Sequence, residues 1–357
     1  MRVLHYVEHW LELSAGFVHG QVSRSRYPKI VVSHNATENL DAFPIRPLVR
    51  LDPLATRIPP RRWPAARAVA LRTIAAASRA DLVHVHFGYV VRDVLPIVDE
   101  HRRPLVLSLH GDDAAALPRR QPGHYDPAVK AAAAVIVPSR FLADVVAGLG
   151  FARERIHVIP SGVDTQFFAP TPMPAAPSVA FVGRLVEKKG LDILLAAWPT
   201  VRDVVPGATL TVLGSGPLAD TLPSDAPSVR HLAPDPTRRA AQVREVIRGA
   251  RVIATPSRTT AGGDAESLLL VNLEAQASGR PVVTTNHGGI PEFVAADESA
   301  LVVREGETDA VAQALIAVLT DDALATRLAA AGPAVAKRFD VADCARRVDE
   351  LYERMRQ

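Results

Sequence analysis

Two stretches of the chain carry residue types suited to holding a phosphorylated ligand. Gly262 to Pro281 reads GGDAESLLLVNLEAQASGRP. A strand ending near Thr255 leads into a glycine-rich loop, then Glu266, then an apolar run of helical character reaching Ser278, where Gly279 is placed to stop it. A helix beginning just after Glu266 would leave its first free N–H groups on Ser267 through Leu270, including Leu269 and Leu270. Those donors, with the positive end of the helix dipole, would make an anion site suited to a diphosphate. Glu274 follows Glu266 by eight residues, and eight residues of helix rise about 12 Å, comparable to a nucleoside diphosphate. The two carboxylates could then bond hydroxyls at opposite ends of such a ligand. Equally, Glu266 could be a capping carboxylate and Glu274 an ordinary surface glutamate; spacing alone does not choose.

Upstream, Ala180 to Gly190 reads AFVGRLVEKKG. A strand delivers Gly183, after which Arg184 and Lys189 bracket a short loop before a helix beginning near Leu191. Two cations on one loop could neutralise a departing diphosphate, Arg184 as a fork and Lys189 as a point charge. The bland alternative is a solvated helix start. Gly214 and Gly216 in VLGSGPL make a tight turn after a strand, without the rest of a dinucleotide fingerprint.

The elements that must position these residues follow an alternating pattern of short apolar runs and helical stretches, the signature of βαβ units and parallel sheets. Strands are predicted at Val3–Val7, Ile30–Ser33, Leu82–His86, Leu105–Leu109, Ala134–Val137 and His157–Ile159. A second set is predicted at Ser178–Val182, Thr209–Leu213, Val229–Leu232, Val252–Thr255, Pro281–Thr284 and Ala300–Val303. Pro170 to Pro177 separates the sets and reads as a linker, and Val341 to Arg356 has helical spacing. The segments AVIVPSR (Ala134–Arg140) and RVIATPSR (Arg251–Arg258) echo each other at comparable places. Strand count and echo together predict twin doubly wound α/β domains, in which ligands bind beyond the carboxyl ends of the strands.

Bulk properties agree and exclude several classes. A chain of 357 residues suits two domains. Its single cysteine, Cys344, excludes an internal disulfide framework and a multi-cysteine metal site. The first ten residues do not read as a signal peptide, and the longest apolar run, Ala131 to Val137, is far short of the roughly 20 residues that span a bilayer. A cytoplasmic location is expected. A net charge of +3 is too mild to argue for nucleic acid. Basic residues do cluster from Arg57 through Arg61, Arg62, Arg67 and Arg72 around Trp63, a pattern compatible with peripheral contact at an anionic inner membrane or with a solvated helix face.

The order GRLVEKKG–LDILLAAW, VLGSGPL, TPSR, then the Glu-x7-Glu segment with EAQASGRPVVTTNHGGIPE, resembles the retaining glycosyltransferases of family 4, and among them exopolysaccharide and colanic-acid types. The resemblance runs along nearly the whole chain. Its N-terminal part rests on LSAGF (Leu13–Phe17), VHVHFG (Val83–Gly88) and LSLHGDD (Leu107–Asp113). It implies a GT-B fold: two Rossmann-like domains facing a central cleft. These would be an acceptor domain at 1–170 and a nucleotide-sugar domain at 171–338, with a terminal helix at about 339–357 returning to the first. It implies that Arg184 and Lys189 hold the donor diphosphate, that Glu266 contacts the transferred sugar and Glu274 the ribose, and that backbone amides near Leu269 and Leu270 meet the distal phosphate. Gly16 would let backbone approach the diphosphate, and His110, at a strand end before Gly-Asp, would hydrogen-bond a sugar hydroxyl near the reacting carbon.

The chain departs from the family pattern at Ser267, where glycine is frequent, at Leu268 to Val271, and in the Ser-Ala-Gly of its N-terminal loop. The reaction implied is transfer from a UDP- or GDP-linked sugar, with retention, by front-face substitution and without a metal or a further cofactor. The acceptor is expected to be a glycan or lipid-linked glycan of surface polysaccharide assembly, with a small-molecule acceptor as the alternative. A nucleotide-sugar epimerase of the same architecture and a sugar-nucleotide-binding partner subunit without turnover are the other readings. Pyridoxal-phosphate phosphorylases are usually far longer.

Overall fold

The computed structural model describes every residue except 12–14, 36–38, 56, 102, 224–225 and 357; Leu13 and Ser14 of the LSAGF motif thus lie outside the described residues. The chain forms two compact units, one comprising Met1–Ser161 with Ala342–Gln357 and the other Gly162–Val341. The first carries β1 (Val3–Val7), β2 (Lys29–Ser33), β3 (Leu48–Arg50), β4 (Leu82–His86), β5 (Leu105–Ser108), β6 (Ala132–Val137) and β7 (Ile156–Val158). They form one parallel sheet in the order β3-β2-β1-β4-β5-β6-β7. The second carries β8 (Ser178–Val182), β9 (Thr209–Leu213), β10 (Val229–Leu232), β11 (Val252–Thr255), β12 (Val282–Thr285) and β13 (Ala300–Val303). These are also parallel, in the order β10-β9-β8-β11-β12-β13.

Each unit is thus a doubly wound α/β domain, and each predicted strand is present within two residues of its expected ends. The strand that periodicity misses is β3, three residues on the sheet edge and nowhere fully buried. Strand order reverses at β1 in one unit and at β8 in the other, which puts the ligand-binding crevices beside β1/β4 and β8/β11.

Both faces of each sheet are covered, which is why the strands read as continuous apolar runs rather than alternating ones. In the second unit Val179 and Phe181 of β8 face the helices at Leu191–Val204, Thr308–Thr320 and Asp322–Lys337. Ala180 and Val182 face those at Arg239–Gly249 and Leu270–Ala277. The helix Val341–Arg354 belongs to the first unit from Ala342 on. Its Val348, Leu351 and Tyr352, three to four residues apart on one face, cover Val3, Leu82, Val106, Ala134 and Ile136. Asp349 fixes that helix in place, accepting from the Ser25 hydroxyl at 2.6 Å and the Arg26 amide at 2.9 Å.

Residues 170–177 hold no helix or strand, as their prolines dictate, yet they lie inside the second unit rather than between the two. Arg280 is the reason. Its buried guanidinium donates to the carbonyls of Thr171, Pro172 and Arg248 at 2.8, 3.0 and 2.9 Å, and to the Thr171 hydroxyl at 2.8 Å.

Candidate functional site

At the switch point of the second unit, β8 runs into Gly183-Arg184 and β11 into Pro256-Ser257-Arg258. The loop after β8 is gripped from two sides. On one side the VLGSGPL turn holds Leu185, whose N–H donates to Ser215 at 2.8 Å and whose carbonyl accepts from Leu218 at 3.0 Å. On the other, the Arg258 N–H donates to the Lys188 carbonyl at 2.9 Å, and the Arg258 guanidinium pairs with Asp192 at 2.9 Å. Gly190 is left-handed there (φ 68°), and a Cβ on it would stand 1.9 Å from the Pro256 carbonyl oxygen. No other residue fits so close an approach. The Pro-Ser-Arg echo therefore has a use in this half: it seats the basic loop.

The loop presents three cations in different states. Arg184 is exposed and has no ion-pair partner among the described residues. Lys188 and Lys189 turn inward, Lys188 Nζ to Asp264 Oδ1 at 3.0 Å and Lys189 Nζ to Glu266 Oε1 at 2.7 Å. Burial of Glu266 opposes its ionisation, but the ammonium groups of Lys189 and Lys188 outweigh that and hold its carboxyl below the ordinary value. Burial pulls the Lys189 ammonium down in turn, against the pull of Glu266. Lys189 and Glu266, expected to serve different parts of a ligand, are thus brought into direct contact. Lys188 and Asp264 form a parallel second pair that sequence reasoning passed over.

The helix expected to begin just after Glu266 begins at Leu270 instead. The backbone of Glu266 is already engaged: its carbonyl accepts from the Gly289 N–H at 2.8 Å and its N–H donates to His287 Nε2 at 3.0 Å. These bonds hold the Glu266 peptide groups outside the helix, whose first residue is Leu270. Only the last part of the interval from Glu266 to Glu274 is therefore helical, and the separation of the two carboxylates is not a helical rise. The anion site keeps its donors nonetheless. Leu269 caps the helix in an extended conformation without a side-chain acceptor. Among the described residues no backbone carbonyl meets the N–H groups of Leu268, Leu269, Leu270 or Val271. Gly279 (φ 67°) ends the helix as its position suggested.

Glu274 projects from this helix, and burial pushes its carboxyl up to about 7 against the opposing pull of the Arg239 guanidinium. Arg239 opens the helix Arg239–Gly249 and is another residue the sequence pattern left unmarked.

Gly16 and His110 lie in the first unit. Gly16 is the first residue of the helix Gly16–Arg24, and the ring of Phe43 occupies the place of a Cβ, which would stand 2.8 Å from Cε1. The His110 ring packs between Phe17 and Phe87, with centroids at 4.8 and 4.6 Å, and burial pushes its pKa down to about 3, leaving it neutral. Asp113 shapes this loop by accepting from the N–H groups of His110 and Gly111 at 2.9 Å and of Gly88 at 3.0 Å. His5, His84 and His86 bring ring nitrogens within 4.8 Å of one another. Tyr352 and Ser108 engage both nitrogens of His84 at 2.5 and 2.7 Å, and His5 Nδ1 meets His86 Nε2 at 3.0 Å. The group contains no carboxylate to neutralise a cation, and it reads as a polar seam in the core.

Residues 21–167 match glycosyltransferase family 4, and residues 176–321 match the group 1 glycosyl transferases. A GDP-mannose-dependent alpha-(1-6)-phosphatidylinositol monomannoside mannosyltransferase of Mycobacterium tuberculosis is 36% identical over 192 residues, 50% of either chain. A protein of Escherichia coli K12 assigned to colanic acid biosynthesis as the glycosyltransferase WcaL is 32% identical over 259 residues, 68% of this chain and 63% of that one. The chain spans about half the length of the mannosyltransferase it matches. Among solved structures, Anabaena HepE in complex with UDP superposes with a TM-score of 0.80 at 19% identity, covering 99% of this chain and all of that one. The sucrose-phosphate synthase of Thermosynechococcus elongatus superposes with 0.77 at 18% identity, covering 99% of both. At such identities these superpositions speak for the fold.

Proposed function

Since the chain belongs to glycosyltransferase family 4, we propose that it moves a sugar from a nucleoside-diphosphate donor to an acceptor hydroxyl with retention of configuration. The observation that carries this reading is the switch-point constellation of the second unit. An uncapped helix start at Leu268 to Val271 lies in the same βαβ region as Arg184, the paired Lys189–Glu266 and the half-buried Glu274. Amides and cations of that kind suit a diphosphate, and Glu274 suits the vicinal hydroxyls of a ribose.

Lys189 has a dual part in this reading. With the site empty it neutralises Glu266; with donor bound it lies between the carboxylate that meets the sugar and the phosphate that leaves. The reaction breaks the bond between the anomeric carbon and the diphosphate oxygen and forms the bond to the acceptor oxygen on the same face. The acceptor proton passes to the departing phosphate oxygen. Arg184 and Lys189 stabilise the negative charge that develops there. His110, kept neutral, serves as a hydrogen-bonding group to the sugar rather than as a charged acid. No metal is assigned a part in the reaction.

The names of the relatives given above suggest GDP- and UDP-linked sugars as the donors to try first, and glycans or lipid-linked glycans as acceptors. Among the described residues no helix is long and apolar enough to cross a membrane, so contact of the Arg57–Arg72 region with lipid would be peripheral. The test is thermal melting with UDP, GDP, ADP and CMP, repeated on Arg184→Ala. A ligand at a hundred times its Kd adds about 2.7 kcal/mol. A shift with one nucleoside diphosphate, reduced in the variant, supports the reading. No shift with any of the four counts against the donor site and the activity together.

A further inference from the structure

We propose that His287, anchored by Glu305, is a positioning residue for the glycosyl group of the donor, acting through the backbone of Glu266. The inference rests on the transferase reading above and adds to it a dyad contributed by the NHGG turn after β12 and by the segment after β13.

Glu266 N–H donates to His287 Nε2 at 3.0 Å, so that nitrogen must be unprotonated. The ring proton therefore sits on Nδ1 and is donated to Glu305 Oε2 at 2.8 Å. Glu305 is fixed in its turn by Thr259, whose N–H donates at 2.8 Å and whose hydroxyl donates at 3.1 Å to the same carboxylate oxygen. The chain of bonds Thr259–Glu305–His287–Glu266 thus joins the end of the Pro-Ser-Arg loop to the residue that would meet the sugar. The His287 side chain is 1% exposed, so nothing in solvent can replace the bond it accepts.

The adjoining glycines complete the grip. Gly289 N–H holds the Glu266 carbonyl at 2.8 Å. Gly288, left-handed at φ 52°, lies where a Cβ would stand 2.2 Å from that same oxygen. Both peptide groups of Glu266 are therefore pinned from one turn, and the two pins do different things. The Gly289 bond holds the carbonyl side of Glu266, ahead of the amides of Leu268 to Val271 that no backbone carbonyl meets among the described residues. The His287 bond fixes the peptide before Glu266 and so the direction of its carboxylate. Loss of the imidazole should leave the phosphate amides intact and disturb only what Glu266 contacts.

The experiment uses the full chain with His287→Leu, His287→Gln and Glu305→Gln, titrated with UDP, GDP, UDP-glucose and GDP-mannose and assayed for transfer. In His287→Leu the free nucleoside diphosphate should bind within about twofold of wild type, while KM for the sugar nucleotide rises about tenfold or more, the scale expected when a misdirected carboxylate loses a charge-assisted hydrogen bond to the sugar. Glutamine can place its carbonyl oxygen near the position of Nε2, so His287→Gln should recover most of that loss. A folded His287→Leu with unchanged KM, or one that loses free diphosphate and sugar nucleotide equally, overturns the proposal. Nitrogen-15 NMR of the ring gives a readout free of any ligand: an Nε2–H tautomer for His287 also overturns it. If the wild type binds none of the four ligands, the transferase reading fails. The tautomer, together with slow exchange of the Glu266 amide that quickens in His287→Leu, still decides the positioning role.

Discussion

The carboxyl of Glu274 is pushed up to about 7 by burial, and this converts the proposed ribose contact into a pH-dependent one. A carboxylate accepts hydrogen bonds from two vicinal hydroxyls only when ionised, so below its pKa a proton must leave before nucleotide can bind. If binding restores an ordinary carboxyl pKa near 4.5, the affinity contributed by this group falls about 25-fold between about pH 7.5 and pH 5.5. Glu274→Gln removes that titration and leaves whatever the ligand's own phosphates contribute, so the difference between the two profiles isolates the residue. Calorimetry in buffers of different ionisation enthalpy should register proton release near pH 6.5 in wild type and less in the variant. Removing the opposing guanidinium with Arg239→Gln should move the break to higher pH. The unliganded protein responds with the opposite sign. A carboxyl raised in the folded state favours folding when protonated, so Glu274 contributes stability below about pH 4.5 that is lost as pH rises through about 7. Parallel profiles for wild type and Glu274→Gln, with equal proton release, would refute the placing of the ribose at Glu274.

Other variants separate ligand contacts from scaffold. Arg184→Ala removes an exposed cation without an ion-pair partner among the described residues; melting temperature without ligand should hold, while nucleoside-diphosphate affinity falls about tenfold, the scale of a charge-assisted phosphate contact. Gly190→Ala forces a Cβ against the Pro256 carbonyl and should cost at least about 1–2 kcal/mol in chemical denaturation, with donor binding impaired because the basic loop shifts. Arg280→Leu leaves the carbonyls of Thr171, Pro172 and Arg248 without their donor and should destabilise by about 3 kcal/mol or more, with nucleotide affinity per folded molecule unchanged.

Strand positions were legible because parallel strands buried on both faces read as runs rich in Val, Ile and Leu, and strand count with the Pro-Ser-Arg echo then implied doubly wound domains. What escaped was set by partners distant in the chain. The Glu266 backbone is bonded to Gly289 and His287, more than twenty residues further along the chain, and no local propensity around Glu266 reports those bonds or the helix start at Leu270. Lys188 and Lys189 read alike as neighbours on a loop, and only the fold shows that they face separate acids. Glu305 and Arg239 carry no motif of their own. The sequence did contain one usable hint of the rest: NHGG lies directly after a strand at the ligand end of the sheet, where a histidine and two glycines together suggest a turn gripping something. β3 was missed for a simpler reason, being three residues long at an edge with no buried run to announce it.

The helix Val341–Arg354 also bears on how the protein is made. It covers the sheet face formed by Val3, Leu82, Val106, Ala134 and Ile136, and the last of those residues leaves the ribosome long before the helix does. Translation at about 5–20 residues per second puts roughly 10–40 s between them. Once β7 is made, the nascent first unit has its strands but lacks this helix over part of one sheet face while the second unit is synthesised. Completion of the first core thus waits for a segment made after the second unit, whose own core needs no residue beyond Val341.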